Sequence, residues 1–214
     1  MWKLEKTRLL VATLLIPASA IGLLVAGCAS SRPAADPNAP PLHPRLTHSA
    51  YYEEGQLVYL AVDTVAGSRA GKESYIPLPF ILANKTNRDM RLSSESFRLV
   101  ALDGSIRPLA SYEEIKERYR RQSIDARFSA PFYEAAYQRL EINTGFSAYM
   151  RQPFPLYGAQ GLRRNTFTLG GNGYVEGTLY FPRGDLESVS GKIFELDLGS
   201  PDLRDTILLR FKIP

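Results

Sequence analysis

Val175-Glu176-Gly177-Thr178-Leu179-Tyr180-Phe181 sets Val175, Gly177, Leu179 and Phe181 against Glu176, Thr178 and Tyr180. A period of two marks an extended strand, because successive Cβ atoms point to opposite faces. The alternation returns twice downstream. Phe194, Leu196 and Leu198 oppose Ile193, Glu195 and Asp197, and Ile207, Leu209, Phe211 and Ile213 oppose Thr206, Arg210 and Lys212. One apolar set per strand is what half-buried antiparallel strands produce. The C-terminal third therefore reads as sheet with one face on a core.

Working back toward the N-terminus, Gly170-Gly171-Asn172-Gly173 reads as a turn. No Lys-Ser/Thr follows it and a strand comes next, so it does not make a phosphate cradle. Phe97 to Leu102 predicts a strand that ends at the hairpin signal Asp103-Gly104. Asn84 to Asp89 is a turn. Tyr75 to Asn84 is apolar, and Pro77 and Pro79 are expected to push its first half to an edge or bulge. Gln56 to Ala66 is apolar on both faces, Leu57, Tyr59 and Ala61 against Val58, Leu60 and Val62, as in a central strand. About seven short strands with regular turn residues predict a mainly β, two-sheet sandwich.

Three of these segments, Phe80-Ile81-Leu82-Ala83-Asn84-Lys85-Thr86, Phe97-Arg98-Leu99-Val100-Ala101-Leu102-Asp103-Gly104 and Gly177-Thr178-Leu179-Tyr180-Phe181-Pro182, together resemble immunoglobulin-like domains of bacterial lipoproteins. The resemblance implies an immunoglobulin-like antiparallel β-sandwich. The chain departs from that pattern by inserting about 45 residues, Ser111 to Tyr157, where such domains have a short connection. Binding surfaces of the family therefore do not transfer.

The insertion predicts two helices. Ser111-Tyr112-Glu113-Glu114 reads as a capping box, followed by helix to about Gln122. A second helix is expected from about Pro131 to Ile142, with Pro131 in the first turn, where its missing N–H is harmless. Ten of the chain's 23 aromatic residues lie between Tyr112 and Tyr157. Either they form an exposed face for a partner protein or sugar rings, or Phe132, Tyr133, Tyr137 and Phe146 cement the helices to the sheets. Lys116, Arg118, Arg120 and Arg121 make the one basic cluster. It could meet anionic headgroups, or be a solvated helix face with Glu114–Arg118 and Glu117–Arg121 as i,i+4 pairs. Tyr133, Tyr137, Arg118, Arg120 and Arg121 are the candidate partner surface.

At the other end, Lys3, Lys6 and Arg8, with Glu5 among them, precede Leu9 to Gly27, which carry no charge. This is the order of a secretory signal. The stretch ends at Leu24-Val25-Ala26-Gly27-Cys28, whose cysteine is the only one in the chain. Residues 1–28 resemble bacterial lipoprotein precursors. The resemblance implies cleavage between Gly27 and Cys28, a thioether-linked diacylglycerol on Cys28 and an acyl chain on its new amino group. Two or more chains anchor stably where one does not. An uncleaved anchor and a secreted form cut after Ala18-Ser19-Ala20 are the alternatives. In a diderm, Ala29 rather than Asp after the cysteine resembles lipoproteins sent to the outer membrane, facing the periplasm. Residues 28–49 hold Pro33, Pro37, Pro40, Pro41 and Pro44 and form a semi-rigid spacer, which leaves residues 50–214 as a single domain.

Chemistry is thin. Both histidines, His43 and His48, lie in or beside the spacer, so Ser-His-Asp, Cys-His and imidazole metal sites are not expected. No catalytic residue, metal or cofactor is expected. Glu113 with Glu114 and Asp202 with Asp205 are the carboxylate pairs that a glycan-cleaving enzyme could use. The formal charge of +4 falls to +2 once residues 1–27 are removed, and no basic motif is present, which argues against nucleic acid. The sequence thus predicts a membrane-anchored cell-envelope lipoprotein with a non-enzymatic domain that binds or scaffolds another envelope protein. A module for envelope glycan or lipid is the alternative.

Overall fold

A computed structural model describes residues 46–144, 151–154 and 166–214. The expectations for Gly27, Cys28, spacer residues 28–45 and Phe146 lie outside these residues, while Thr47 and Ser49 at the spacer's expected end bond to Asp63 and so belong to the domain. The fold is mainly β, with largely antiparallel sheets and three helices. Strands β1 (Ala50–Glu54), β2 (Val58–Asp63), β3 (Tyr75–Asn84), β9 (Tyr174–Pro182) and β7 (Arg151–Phe154) form one sheet in the order β1-β2-β3-β9-β7. A second sheet runs β11 (Ile207–Lys212), β10 (Ile193–Leu198), β5 (Phe97–Ala101) and β6 (Ile106–Pro108). Strands β4 (Met90–Ser93) and β8 (Thr166–Leu169) pair separately. Among the described residues the one departure from antiparallel pairing is β7, which runs parallel to β9.

The sheets share one core. Leu60, Leu78, Phe80, Leu82, Leu179 and Phe181 of the first sheet belong to the same buried cluster as Phe97, Leu99, Phe194, Leu196 and Phe211 of the second. Phe80 meets Phe97 edge-on at 5.4 Å between ring centroids, an arrangement favoured by the ring quadrupole. Strands β10 and β11 keep the expected alternation, with Phe194, Leu196, Leu198, Leu209 and Phe211 buried. The Asp103-Gly104 hairpin also forms between β5 and β6, with Gly104 at φ +81° and the Asp103 carboxylate accepting from the Ser105 amide at 2.8 Å.

Three expectations are corrected, and one is refined. The segment Gln56 to Ala66 is not one strand. It splits into the β2 end of a hairpin with β1 and a short helix, α1 (Val65–Ala70). Asp63, buried, takes the amide of Val65 at 2.7 Å and the hydroxyls of Ser49 and Thr47, so the strand ends where its own carboxylate starts the helix.

Strand β3 lies inside the sheet over Phe80 to Asn84, and its first half is an edge, as its prolines predict. Its pairing with β2 covers only Phe80 to Asn84, so Pro77 and Pro79 pair with β9 alone and the carbonyl of Pro77 faces α1. The prolines occupy the half of the strand that lacks a second strand neighbour.

Strand β9 is not half-exposed, because helices cover Glu176 and Tyr180, which the alternation placed toward solvent. Those helices also begin and end elsewhere. Helix α2 spans Tyr112–Arg118, and α3 spans Gln122–Thr144 with Pro131 inside it, on the exposed side. Gln122 Nε2 donates to the carbonyls of Ile115 and Tyr119, satisfying the open end of α2 and letting α3 start immediately. None of the helices among the described residues is long and apolar enough to cross a membrane.

Candidate functional site: a cleft between three loops

The insertion folds down onto the outer face of the five-stranded sheet. Phe132 and Ala136 of α3 are fully buried with Tyr59, Ala61, Ile81 and Tyr174. Tyr133 and Tyr137 are half-buried against the same cluster. The Tyr133 hydroxyl donates to the carbonyl of Gly177, and the ring of Tyr137 lies 5.7 Å from that of Tyr174. Helix α2 places Ile115 on Tyr75 and Tyr180, and Tyr119, just past its end, stacks edge-on to both rings at 5.7 and 5.2 Å.

The basic cluster disperses. Arg118 keeps its i,i+4 pair with Glu114 at 4.0 Å in the open, and Arg120 is exposed. Arg121 lies beyond the end of α2, so the expected pair with Glu117 is replaced. Its guanidinium bonds the carbonyls of Arg69 and Ala70 and pairs with Glu73 at 3.4 Å. Half of the capping box forms, since the Glu114 amide donates to Ser111 Oγ at 3.2 Å, but the Glu114 carboxylate accepts from the Tyr75 hydroxyl instead. Of the candidate partner residues, Arg118 and Arg120 are exposed while Tyr133, Tyr137 and Arg121 are half-buried.

Two carboxyls are enclosed by this helical layer. Asp125, in the first turn of α3, is fully buried facing the Tyr119 hydroxyl and Arg121, and burial pushes its pKa up to about 6. Glu176, 6% exposed beneath the insertion, is pushed by burial up to about 7. Both are buried.

A cleft of about 710 Å³ opens instead at one end of the sheets, where three loops meet. These are the β1–β2 turn (Gly55, Gln56, Leu57), the β3–β4 turn (Thr86 to Asp89) and the β10–β11 loop (Asp202 to Asp205). Such a volume suits a ligand or the tip of a partner. Val58, Met90, Leu203 and Ile207 are its apolar residues, with Leu57 at 39% exposure.

Each loop is held by hydrogen bonds. Lys85 donates its amide to Leu57 O at 2.8 Å and its Nζ to Gly55 O at 3.0 Å, fixing the first turn. Asn84, fully buried at the end of β3, donates to the carbonyls of Arg88, Leu169 and Gly170 and accepts from the Thr86 amide. The Gly170–Gly173 turn locks onto the β3–β4 turn, since the Asn172 amide donates to Thr86 O and Gly171 donates to Asp89 Oδ1. A Cβ on Gly171 would lie 2.5 Å from the carbonyl carbon of Asn87. In the third loop, Asp202 takes the Arg91 amide at 2.7 Å and its guanidinium at 3.3 Å, while Ser200 Oγ donates to Arg91 O. The Arg91 amide, and then its guanidinium, hold the Asp202 carboxyl below the usual range.

The remaining charged side chains are uncommitted. Among the described residues no ion pair or hydrogen bond engages the side chains of Arg88, Arg204 or Asp205, all exposed on the cleft. Loops whose backbones are over-determined while their arginines stay unpaired are the usual makings of a recognition surface on a rigid scaffold. Sequence reasoning located the Asn84–Asp89 turn and the Asp202/Asp205 pair but could not join them, since more than 100 residues separate them. Asp202 is committed to Arg91. Among the described residues no cluster of three or more metal-ligating side chains exists.

A mainly β domain with an anchored cleft between loops defines a class by shape alone. No family model matches the chain, and no curated protein matches it. Among solved structures it is similar to a presumed lipoprotein (YcdA) of Bacillus subtilis subsp. subtilis, with 13% identity and a TM-score of 0.39. That similarity covers 75% of this chain and 38% of the other, so the chain spans well under half of that protein's length.

Proposed function

We propose that this protein is a cell-envelope lipoprotein, tethered through Cys28, whose immunoglobulin-like sandwich is a non-enzymatic binding or scaffolding domain for another envelope protein. The tether is supported by the charged start, the uncharged run Leu9 to Gly27 and the small residues before the lone cysteine. The spacer then holds the domain away from the lipid; residues 28–45 reach on the order of 50 Å at about 3 Å per residue. In a diderm the leaflet is the outer membrane's periplasmic one.

The single observation that carries the binding reading is the cleft, with its hydrogen-bonded loops and unpaired Arg88 and Arg204. Pre-organised loops lose little entropy on binding, which favours recognition. The glycan alternative drew on an exposed aromatic face, and Phe132, Tyr133 and Tyr137 instead turn toward the sheet.

The test is mass spectrometry of the protein purified from cell membranes after treatment with a short amine-reactive crosslinker. A triacylated Cys28 as the N-terminus together with one dominant protein adduct is expected. An unmodified cysteine, a retained Met1 or the absence of any protein adduct would contradict the reading.

A further inference from the structure

We infer that the β5–β6 hairpin is a second membrane contact. Leu102 and Ile106 at its tip enter the headgroup layer of the bilayer that holds the lipid tether, and the cleft faces away from that bilayer. This rests on the tether in the reading above and adds which end of the domain meets the lipid.

The tip carries the two most exposed large apolar side chains among the described residues, Leu102 at 69% and Ile106 at 57%. Half-buried Val100 widens this surface as the cross-strand partner of Ile106, since directly opposed residues share a face of the sheet. The tip is also fixed in advance. The Gly104 amide donates to Ala101 O at 2.9 Å, the Asp103 carboxylate takes the Ser105 amide at 2.8 Å, and Arg107 Nη1 donates to Ser105 Oγ at 2.9 Å. A pre-formed tip gives up little conformational entropy on entering an interface. Asp103 limits the depth, because a carboxylate stays hydrated among headgroups but not among acyl chains.

The chain enters the domain at this same end. Thr47 and Ser49 bond the carboxylate of Asp63 at the end of β2, and β1 then runs from Ala50 to the Gly55–Leu57 turn of the cleft. The start of β1 lies beside the hairpin end of the second sheet. There the Tyr51 hydroxyl donates to Lys212 O at 3.0 Å, Lys212 pairs with Ile193, and the next residue of β10, Phe194, pairs with Ala101, the last of β5 before the tip. At the opposite end Phe97 pairs with Leu198, which leads into the β10–β11 loop of the cleft.

Residues 28–45, which join Cys28 to the domain, therefore attach at the hairpin end, with the cleft at the other. The reach of this spacer is a limit, not a fixed height. A tether keeps the domain at high effective concentration over the bilayer, so a weak apolar contact is enough to orient it. Charge does not select the surface, because the exposed side chains at this end, Arg69, Lys72, Lys192 and Lys212 against Asp103, Asp185 and Glu187, are close to balance. The contact is apolar, and it neither needs anionic headgroups nor yields to salt.

Trp2 is the only tryptophan of the chain and lies in the segment that processing removes, so a tryptophan placed in the mature protein reports alone. Full-length lipidated protein carrying Leu102→Trp, and separately Leu57→Trp at the cleft, is reconstituted into phosphatidylcholine vesicles whose lipids are brominated near the top of their acyl chains. Position 102 is expected to emit to the blue of position 57 and to lose about half of its intensity to bromine, while position 57 is unquenched. Vesicles containing phosphatidylglycerol and buffers of high salt are expected to give the same result. Ile106→Ser added to Leu102→Trp is expected to diminish the quenching without lowering the melting temperature, since Ile106 is exposed.

No quenching at position 102, equal quenching at both positions, or quenching that requires anionic lipid and disappears in salt overturns the assignment. The protein without an added tryptophan separates this from the tether. If it floats with the vesicles and shows no tryptophan emission, the tether stands and a failure at position 102 removes only the hairpin contact. Retained Trp2 emission or failure to float removes the tether, and this proposal with it.

Discussion

Asn84 shows most directly how one side chain shapes the cleft. Its amide donates to three carbonyls on two turns, and its oxygen accepts from the Thr86 amide and hydroxyl, all within a buried site. Asn84→Ala removes the amide from three carbonyls, of which Arg88 O keeps Thr86 Oγ1 and Gly170 O keeps the Gly173 amide, and takes the acceptor from the Thr86 amide, at a cost of about 1–3 kcal/mol. Urea denaturation checks this, and a loss under about 0.5 kcal/mol would mean that water replaces the amide. Glu176 makes a second prediction at this scale. Its pKa in the folded protein, about 7, lies above the ordinary carboxylate value, so the native state binds more protons than the unfolded chain. Its contribution is therefore fully favourable below about pH 4 and lost as pH rises through 7; Asp125, at about 6, has the same sign. The domain should be on the order of 2 kcal/mol less stable at pH 8 than at pH 5. Glu176→Gln should flatten that slope. A stability that rises over this range would contradict it.

At the scale of elements, the insertion is a cover for the sheet rather than a separate appendage. Phe132→Ala should cost about 3–5 kcal/mol through the cavity it leaves between α3 and the sheet. Replacing Tyr133 and Tyr137 together by Ala should lower the melting temperature by several degrees, since one hydroxyl bond to Gly177 and two ring contacts are lost. An unchanged melting temperature would restore these tyrosines to a partner surface. The existence of α2 was legible from Ser111 because a cap is local chemistry. The start of α3 was not, because it depends on Gln122 reaching back to carbonyls of α2, a contact with no period in the sequence. Pro131 misled for a related reason. Proline favours a first turn but does not require one, and here it sits mid-helix on the exposed side.

For the whole molecule, alternation in β10 and β11 made the mainly β class readable, because those strands have one wet face. In β9 the same pattern was read as half-exposed, and burial of Glu176 and Tyr180 came from helices remote in sequence. The cleft was less legible still. Its turns could be recognised one by one, but their meeting is a property of the topology, and an unpaired arginine looks the same in sequence as a paired one. The proposed tether rests on a pattern confined to 28 residues. Cys28→Ala should shift the protein from the membrane to the soluble fraction with no change in the melting temperature of the domain; continued membrane pelleting in high salt would argue for an uncleaved anchor. The central claim is that the loop-end cleft, not the insertion, is where a partner docks. Photo-crosslinking in living cells from position 57 or 204, compared with position 120 or 128 on the insertion, tests it most directly. A single protein adduct from the cleft positions and none from the insertion is the predicted result. The same adduct arising from the insertion and not from the cleft would contradict it.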